Sequence, residues 1–123
     1  MEPTTEDIEA RLAAAPTGDS PDRVDLLIEL ARSVFMVDPP RATEVSQEAL
    51  EMSRRLDYEK GIGYSLYHVG FGEYLRSDHE NALATLLKAK RRMDTLDDTN
   101  GRGLVLGALA GVHLSVGAYE KAL

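Results

Sequence analysis

The chain contains no cysteine and no tryptophan, and only two of its 123 residues are phenylalanine. Without cysteine there is no disulfide, no thiolate metal ligand and no thiol nucleophile, which fits a cytoplasmic setting. No uninterrupted apolar run approaches the roughly 20 residues needed to cross a bilayer. The first residues, MEPTTEDIEA, are acidic where a signal peptide would be basic and then apolar. No membrane partner is therefore expected. Positive charge is also scarce. Residues 1–60 hold 14 acidic and 7 basic side chains, and residues 61–123 hold 7 of each, for a net charge of −7. An acidic chain repels phosphate backbones, so nucleic acid is not an expected partner. The one basic cluster, Lys88, Lys90, Arg91 and Arg92, reads as a solvated helix face.

Catalytic signatures are missing as well. His68, His79 and His113 show no HExxH or paired-ligand spacing, so no metal is expected. Gly61-Ile62-Gly63 and Gly70-Phe71-Gly72 lack the preceding strand and third glycine of a dinucleotide loop. Gly101-Arg102-Gly103 reads as a turn entering a helix, and the acidic pairs read as caps and turns. The expectation is a non-enzyme with no catalytic residues and no cofactor.

What is present is helical periodicity, with no alternating strand pattern. A short leading helix starts at Thr4 or Thr5, carries Ile8 and Leu12 on one side, and stops before Pro16. Ser20-Pro21 and Asp38-Pro39 each combine a capping side chain with a proline at the first helical position. The first of these opens a helix lined by Val24, Leu27, Leu30, Ala31 and Val34. The second opens one presenting Ala42, Val45, Ala49 and Met52, which fades near Asp57. Further helices are predicted at about Glu59–Arg76, His79–Leu96 and Arg102–Val116. Asp97–Gly101 reads as a turn, Gly117 as a stop, and Tyr119–Leu123 as the first turn of one more helix. A helix begun and cut off reads as a piece of a longer polypeptide.

The chain also repeats itself at a step of 40 residues. Ala42, Ala82 and Ala122 keep that step, as do Ala49 and Ala89, and Leu26, Leu66 and Leu106. Leu56, Asp57, Gly61 and Gly63 return as Leu96, Asp97, Gly101 and Gly103. Such a period marks stacked supersecondary units, here about 21–57, 58–97 and 98–123, the last incomplete, after a leading segment at 1–20.

The second unit reads Tyr64-Ser65-Leu66-Tyr67-His68-Val69-Gly70, Tyr74, Asp78-His79-Glu80-Asn81-Ala82-Leu83, Leu86 and Ala89. The third reads Leu109-Ala110 and Gly117-Ala118-Tyr119-Glu120-Lys121-Ala122-Leu123, and the first Leu30-Ala31 with Ala42 and Ala49. Over residues 22–123 these units resemble the tetratricopeptide repeat, in a form longer than the basic ~34 residues. The resemblance implies an all-α, right-handed antiparallel helix-pair solenoid. It further implies a protein or peptide partner. The LLIELAR and DPPRA segments are similar to arrays at the N-terminus of bacterial signalling proteins, among them nucleotide and diguanylate cyclases, histidine kinases and transcription regulators. A regulatory, protein-binding segment is thus the functional expectation. A dimerisation scaffold, joined through the apolar surface around Tyr119, Ala122 and Leu123, is the rival.

In that arrangement the small residues Ala31, Ala42, Ala49, Gly70, Ala82, Ala89, Ala110 and Ala122 sit where helices cross. Tyr64, Tyr67, Phe71 and Tyr74 fall on one stripe of one helix, at spacings of three, four and three. The resemblance turns that stripe towards the concave side. Matching positions are Asp25, Ile28, Arg32 and Phe35 in the first unit and Leu104, Gly107, Gly111 and Leu114 in the third. The stripe admits two uses, core packing between successive pairs or a cradle for an extended or helical peptide.

Overall fold

Helix starts organise this chain, and most carry a capping side chain. A computed structural model describes residues 2–122, apart from the side chains of residues 119 and 122. In α1 (Thr5–Ala14), Thr4 and Asp7 form a reciprocal capping box, with both bonds at 3.1 Å. Ser20 accepts from the Arg23 amide at the start of α2 (Pro21–Val34), and Asp38 from the Arg41 amide at the start of α3 (Pro39–Arg55). Asp78 does the same for α5 (His79–Leu96) and Asp98 for α6 (Thr99–Ala122), where the Gly101 amide lies 2.8 Å away. Among the described residues, only α4 (Glu59–Leu75) begins on a residue that makes no side-chain cap, Tyr58. Residues 38, 58, 78 and 98 thus stand at one step of 20.

The turns before three of these starts share one backbone pattern. Asp57, Ser77 and Asp97 all take left-handed φ values, of 52°, 62° and 55°. In each turn the following amide reaches back five residues: Tyr58 to the Ser53 carbonyl, Asp78 to Glu73, Asp98 to Met93. The left-handed residue itself bonds three residues back, which completes a Schellman turn in each case. Equal turns joining helices of similar length set equal packing.

Each helix lies against the next in sequence, and α2 also meets α4 as α4 meets α6. A β-carbon at Gly63 would stand 3.1 Å from Met93 Cε, and one at Gly70 would stand 2.7 Å from Leu86 Cγ. Numbers rise along α4 as they fall along α5, so the pair is antiparallel. One core cluster gathers α1, α2 and α3, and a second gathers α4, α5 and α6 with Leu50 of α3. Phe71 touches both.

The 40-residue echo is visible in contacts. A β-carbon at Gly61 would collide with Ser53 Oγ, and one at Gly101 with Met93 Sδ; both members of the second pair stand 40 beyond those of the first. Ser65, His68, Val69 and Gly72 are buried in α4, and so are Val105, Ala108, Leu109 and Val112 in α6.

The sequence expectation fails in α6. The helix begins at Thr99, not Arg102, because Asp98 caps it and the run Thr99–Gly101 forms its first turn. It then passes straight through Gly117 and the residues read as a new helix, ending at Ala122. No glycine has positive φ among the described residues. A helical glycine costs only about 1 kcal/mol against alanine, less than breaking and renucleating a helix. Leu123 lies outside the described residues.

Helix α6 revises a second expectation. Thr99–Ala118 is 20 residues with a mean hydropathy of 1.3, long and apolar enough to cross a membrane by length and composition. Five glycines spread among its leucines hid this from a search for an uninterrupted run. Helices that pack into protein cores meet the same criterion, and 28 % of this stretch is buried in the protein.

Candidate functional site

Alternate helices put their matching faces on one concavity of about 650 Å³. Helix α2 contributes Asp25, Ile28, Glu29, Arg32 and Phe35, with Met36 just beyond its end. Helix α4 contributes Lys60, Tyr64, Tyr67, His68 and Phe71, and α6 contributes Asn100 and Leu104. The spacing of three and four within each helix keeps these side chains on one face.

The floor is aromatic. Phe35 is buried, stacks on His68 at 5.5 Å between centroids, and meets Phe71 edge-on at 5.4 Å. Tyr67 lies over Phe71 at 6.1 Å and against His68 at 5.1 Å. Such pairs add about 0.5–1.5 kcal/mol beyond their buried area. These rings therefore belong to the core and to the groove at once.

His68 is 6 % exposed, and its Nδ1 lies 3.0 Å from the Tyr64 carbonyl oxygen. A carbonyl only accepts, so Nδ1 carries the proton and Nε2 keeps its lone pair. Burial pushes the imidazole down to about 4; the Tyr64 carbonyl opposes this, and the Arg32 charge adds to it. The ring is neutral near pH 7. Burial likewise raises the Tyr67 hydroxyl above its ordinary value.

Two Tyr–Asp hydrogen bonds flank the floor. Tyr58 Oη donates to Asp25 Oδ1 at 2.8 Å, and Tyr64 Oη to Asp98 Oδ2 at 2.9 Å. Burial, then the Asp25 bond, pushes Tyr58 up to about 12. The Gly101 amide, then the Tyr64 hydroxyl, holds Asp98 below the usual carboxylate range. Among the described residues, Glu29, Arg32 and Lys60 have no ion-pair partner, and Glu29 Oε2 is buried without a hydrogen bond. No group of three or more His, Asp or Glu side chains that could hold a metal occurs among them. The site offers aromatic faces below and unneutralised charges of both signs around them.

Eight of the twelve residues read from sequence as a concave face line this groove: Asp25, Ile28, Arg32, Phe35, Tyr64, Tyr67, Phe71 and Leu104. Tyr74, Gly107, Gly111 and Leu114 do not. Tyr74 leans on α6, its hydroxyl 3.2 Å from where a Gly111 β-carbon would stand. Gly107 faces open space, and Leu114 is 74 % exposed. The groove closes at the first turns of α6, so the later α6 positions fall past its end. Sequence reasoning missed Glu29, Met36, Lys60, His68 and Asn100. Helical spacing from the named positions reaches Glu29, Lys60 and His68, whereas Met36 and Asn100 depend on how helix ends approach.

The crossing positions divide similarly. Ala31, Ala42, Ala49, Ala82 and Ala89 are fully buried, and Gly70 abuts Leu86. Ala110, read as a packing position, is instead exposed, because no helix lies over that side of α6 among the described residues. The Ala122 side chain lies outside the described set. No family model matches the chain, and no curated protein or solved structure matches it.

Proposed function

We propose that this chain is a protein-interaction module, a right-handed solenoid of tetratricopeptide-like helix pairs whose inner groove takes a peptide segment. The observation that carries the reading is the aromatic floor of Phe35, Tyr67, His68 and Phe71, with Tyr64 beside it, between α2 and α6, and with Arg32 and Lys60 at its sides free of ion pairs among the described residues. Tyrosines give wide apolar contact and a hydroxyl at little entropic cost, and unpaired guanidinium and ammonium groups suit acidic side chains. The recurrence of Gly61–Ser53 as Gly101–Met93 supports the stacked-unit reading. In the setting the resemblance implies, a cytoplasmic bacterial signalling protein, occupancy of the groove would shift the balance between states of the attached effector.

A display library of short random peptides, panned on the purified chain, tests this. Enriched peptides should combine apolar and acidic residues and should lose about tenfold or more in affinity to a Tyr67→Ala/Arg32→Glu variant that still melts cooperatively. Failure to enrich any sequence, or equal binding to that variant, would rule the groove out.

A further inference from the structure

The inner groove has two unlike ends, because its helices run in one direction. Asp25 of α2 bonds Tyr58 at the start of α4 and, further along both helices, Phe35 stacks on His68. Between α4 and α6, Asn100 reaches Tyr64, and further along a β-carbon at Gly111 would meet Tyr74. Residue numbers rise together in each pair, so α2, α4 and α6 are parallel. One end of the groove therefore gathers Asp25, Lys60 and Asn100 from near the helix starts, with Glu29 one turn in from Asp25. The other gathers Phe35, Met36 and Phe71.

Most polar groups along this surface are already satisfied. Asp25 accepts from Tyr58 at 2.8 Å, and Asn100 donates to Tyr64 at 3.4 Å. Arg32 and Lys60 are exposed, so water hydrates their charges. Glu29 differs. Its Oε2 is buried and accepts no hydrogen bond, and no cation stands at ion-pair distance from it among the described residues. Arg32, three residues on along the same helix, does not reach it. A carboxylate oxygen shut off from water without a donor is the least favourable polar group in the groove. An occupant that brings a donor removes that penalty, and a charged donor does so most fully.

We infer, building on the peptide reading of this groove, that its occupant is a segment with a lysine or arginine seated on Glu29 and an apolar residue lying towards Phe35, Met36 and Phe71. The aromatic lining suits the same choice, since ring faces attract a cation and Tyr64 and Tyr67 border the groove with Glu29. Acidic residues of the segment go to the exposed Arg32 and Lys60. Glu29 and Phe35 are six residues apart, about 9 Å along the helix axis. An extended segment spans that with its basic and apolar residues about two to four positions apart.

The probe is a phage library of random octapeptides, panned in parallel on the whole chain and on its Glu29→Gln and Glu29→Lys variants. On the unaltered chain the enriched peptides should carry Lys or Arg at constant spacing from an apolar residue. Glu29→Gln should lose that basic preference, and Glu29→Lys should exchange it for an acidic residue at the same place. The best peptide, made synthetically, should bind about tenfold or more weakly once its basic residue is glutamine. That change and Glu29→Gln together should weaken binding no more than either alone. The peptide substitution leaves the chain untouched, so its outcome stands whether or not a variant folds. Glu29→Gln should melt no lower than the unaltered chain, because the carboxylate it replaces is unpaired. Enriched peptides without a basic residue, or with one still selected on Glu29→Gln, would overturn the inference and leave the groove reading standing. No enrichment at all would overturn both. A lower melting temperature for Glu29→Gln would overturn the inference as well, since Glu29 would then be bonded within the fold.

Discussion

The Tyr64 hydroxyl, in the second turn of α4, donates to Asp98 at the cap of α6, at 2.9 Å. Tyr58 and Asp25 make the same bond at 2.8 Å one unit earlier, with the two residue types exchanged between helix and cap position. The bond recurs although neither residue is repeated. It fixes α2 to the start of α4 and α4 to the start of α6, and so sets the width of the groove. The exchange also explains why α4 alone lacks a capping side chain. Tyrosine at 58 cannot cap, and its ring fills the space beside Gly61 instead.

Restoring the other polarity is therefore expected to work. Tyr64→Phe should cost about 1 kcal/mol, as one part-buried hydrogen bond to a charged acceptor is lost. Asp25→Tyr and Tyr58→Asp should each destabilise alone, the second by losing ring packing. Together they recreate the Tyr64–Asp98 arrangement and supply α4 with a cap, so the double variant should recover about 1 kcal/mol over the sum of the singles. Urea unfolding of all four proteins gives the cycle; strictly additive losses would show that the two bonds are not equivalent.

Glycines on α4 and α6 should respond oppositely to one methyl group. At Gly70 a β-carbon would press on Leu86 in a filled interior, so Gly70→Ala should lose about 1–3 kcal/mol. At Gly107 nothing lies within 4 Å, so Gly107→Ala should gain about 0.5–1 kcal/mol from helix propensity alone. Thermal unfolding of the two variants decides it, and losses of equal size would mean that Gly107 is packed in solution.

The three left-handed turn residues make a graded series. Aspartate tolerates positive φ better than serine, since its carboxylate bonds locally. Ser77→Gly should therefore stabilise the chain by up to about 1 kcal/mol, with a smaller gain for Asp57→Gly. Ser77→Val should lose more than about 1 kcal/mol, because a β-branched residue is strained there. Denaturant midpoints with unchanged slopes would verify the order.

Most of the helices could be read from sequence because their starts are written in side chains: Thr4, Ser20, Asp38 and Asp78 cap as their type predicts, whereas Asp98, which reads as part of a turn, caps α6. The buried face of α2 was legible for the same reason, since Val24, Leu27, Leu30, Ala31 and Val34 keep one helical stripe. The run of α6 past Gly117 was not. Glycine ends a helix only where the chain has something to turn towards, and that information is tertiary. The groove divided along the same line. Ile28, Tyr67 and Phe71 follow from spacing on a single helix, but whether Tyr74 faces a ligand or Gly111 depends on how closely α6 approaches α4. His68 lies one helical turn beyond Tyr64, so spacing reaches it, and its burial against Phe35 shows that it forms part of the floor.

That burial gives acid sensitivity a definite sign. Unfolded, His68 titrates near its ordinary 6.5; folded, it titrates near 4. Between these values the unfolded chain binds more protons, so stability falls as pH falls. The contribution is fully present above pH 6.5 and is lost by about pH 4, amounting to about 3 kcal/mol. Asp7, Asp19, Asp94 and Asp98 are held below the usual carboxylate range, so their own stabilisation is lost at still lower pH. Unfolding free energies measured at steps from pH 7.5 to pH 4.5 should decline through this window. In His68→Leu the decline should largely vanish, whatever the variant's absolute stability, because the group that takes up the proton on unfolding is gone. An unchanged slope in that variant would mean that His68 is hydrated in the folded chain, and that the aromatic floor is open to water where Phe35 and Tyr67 now close it.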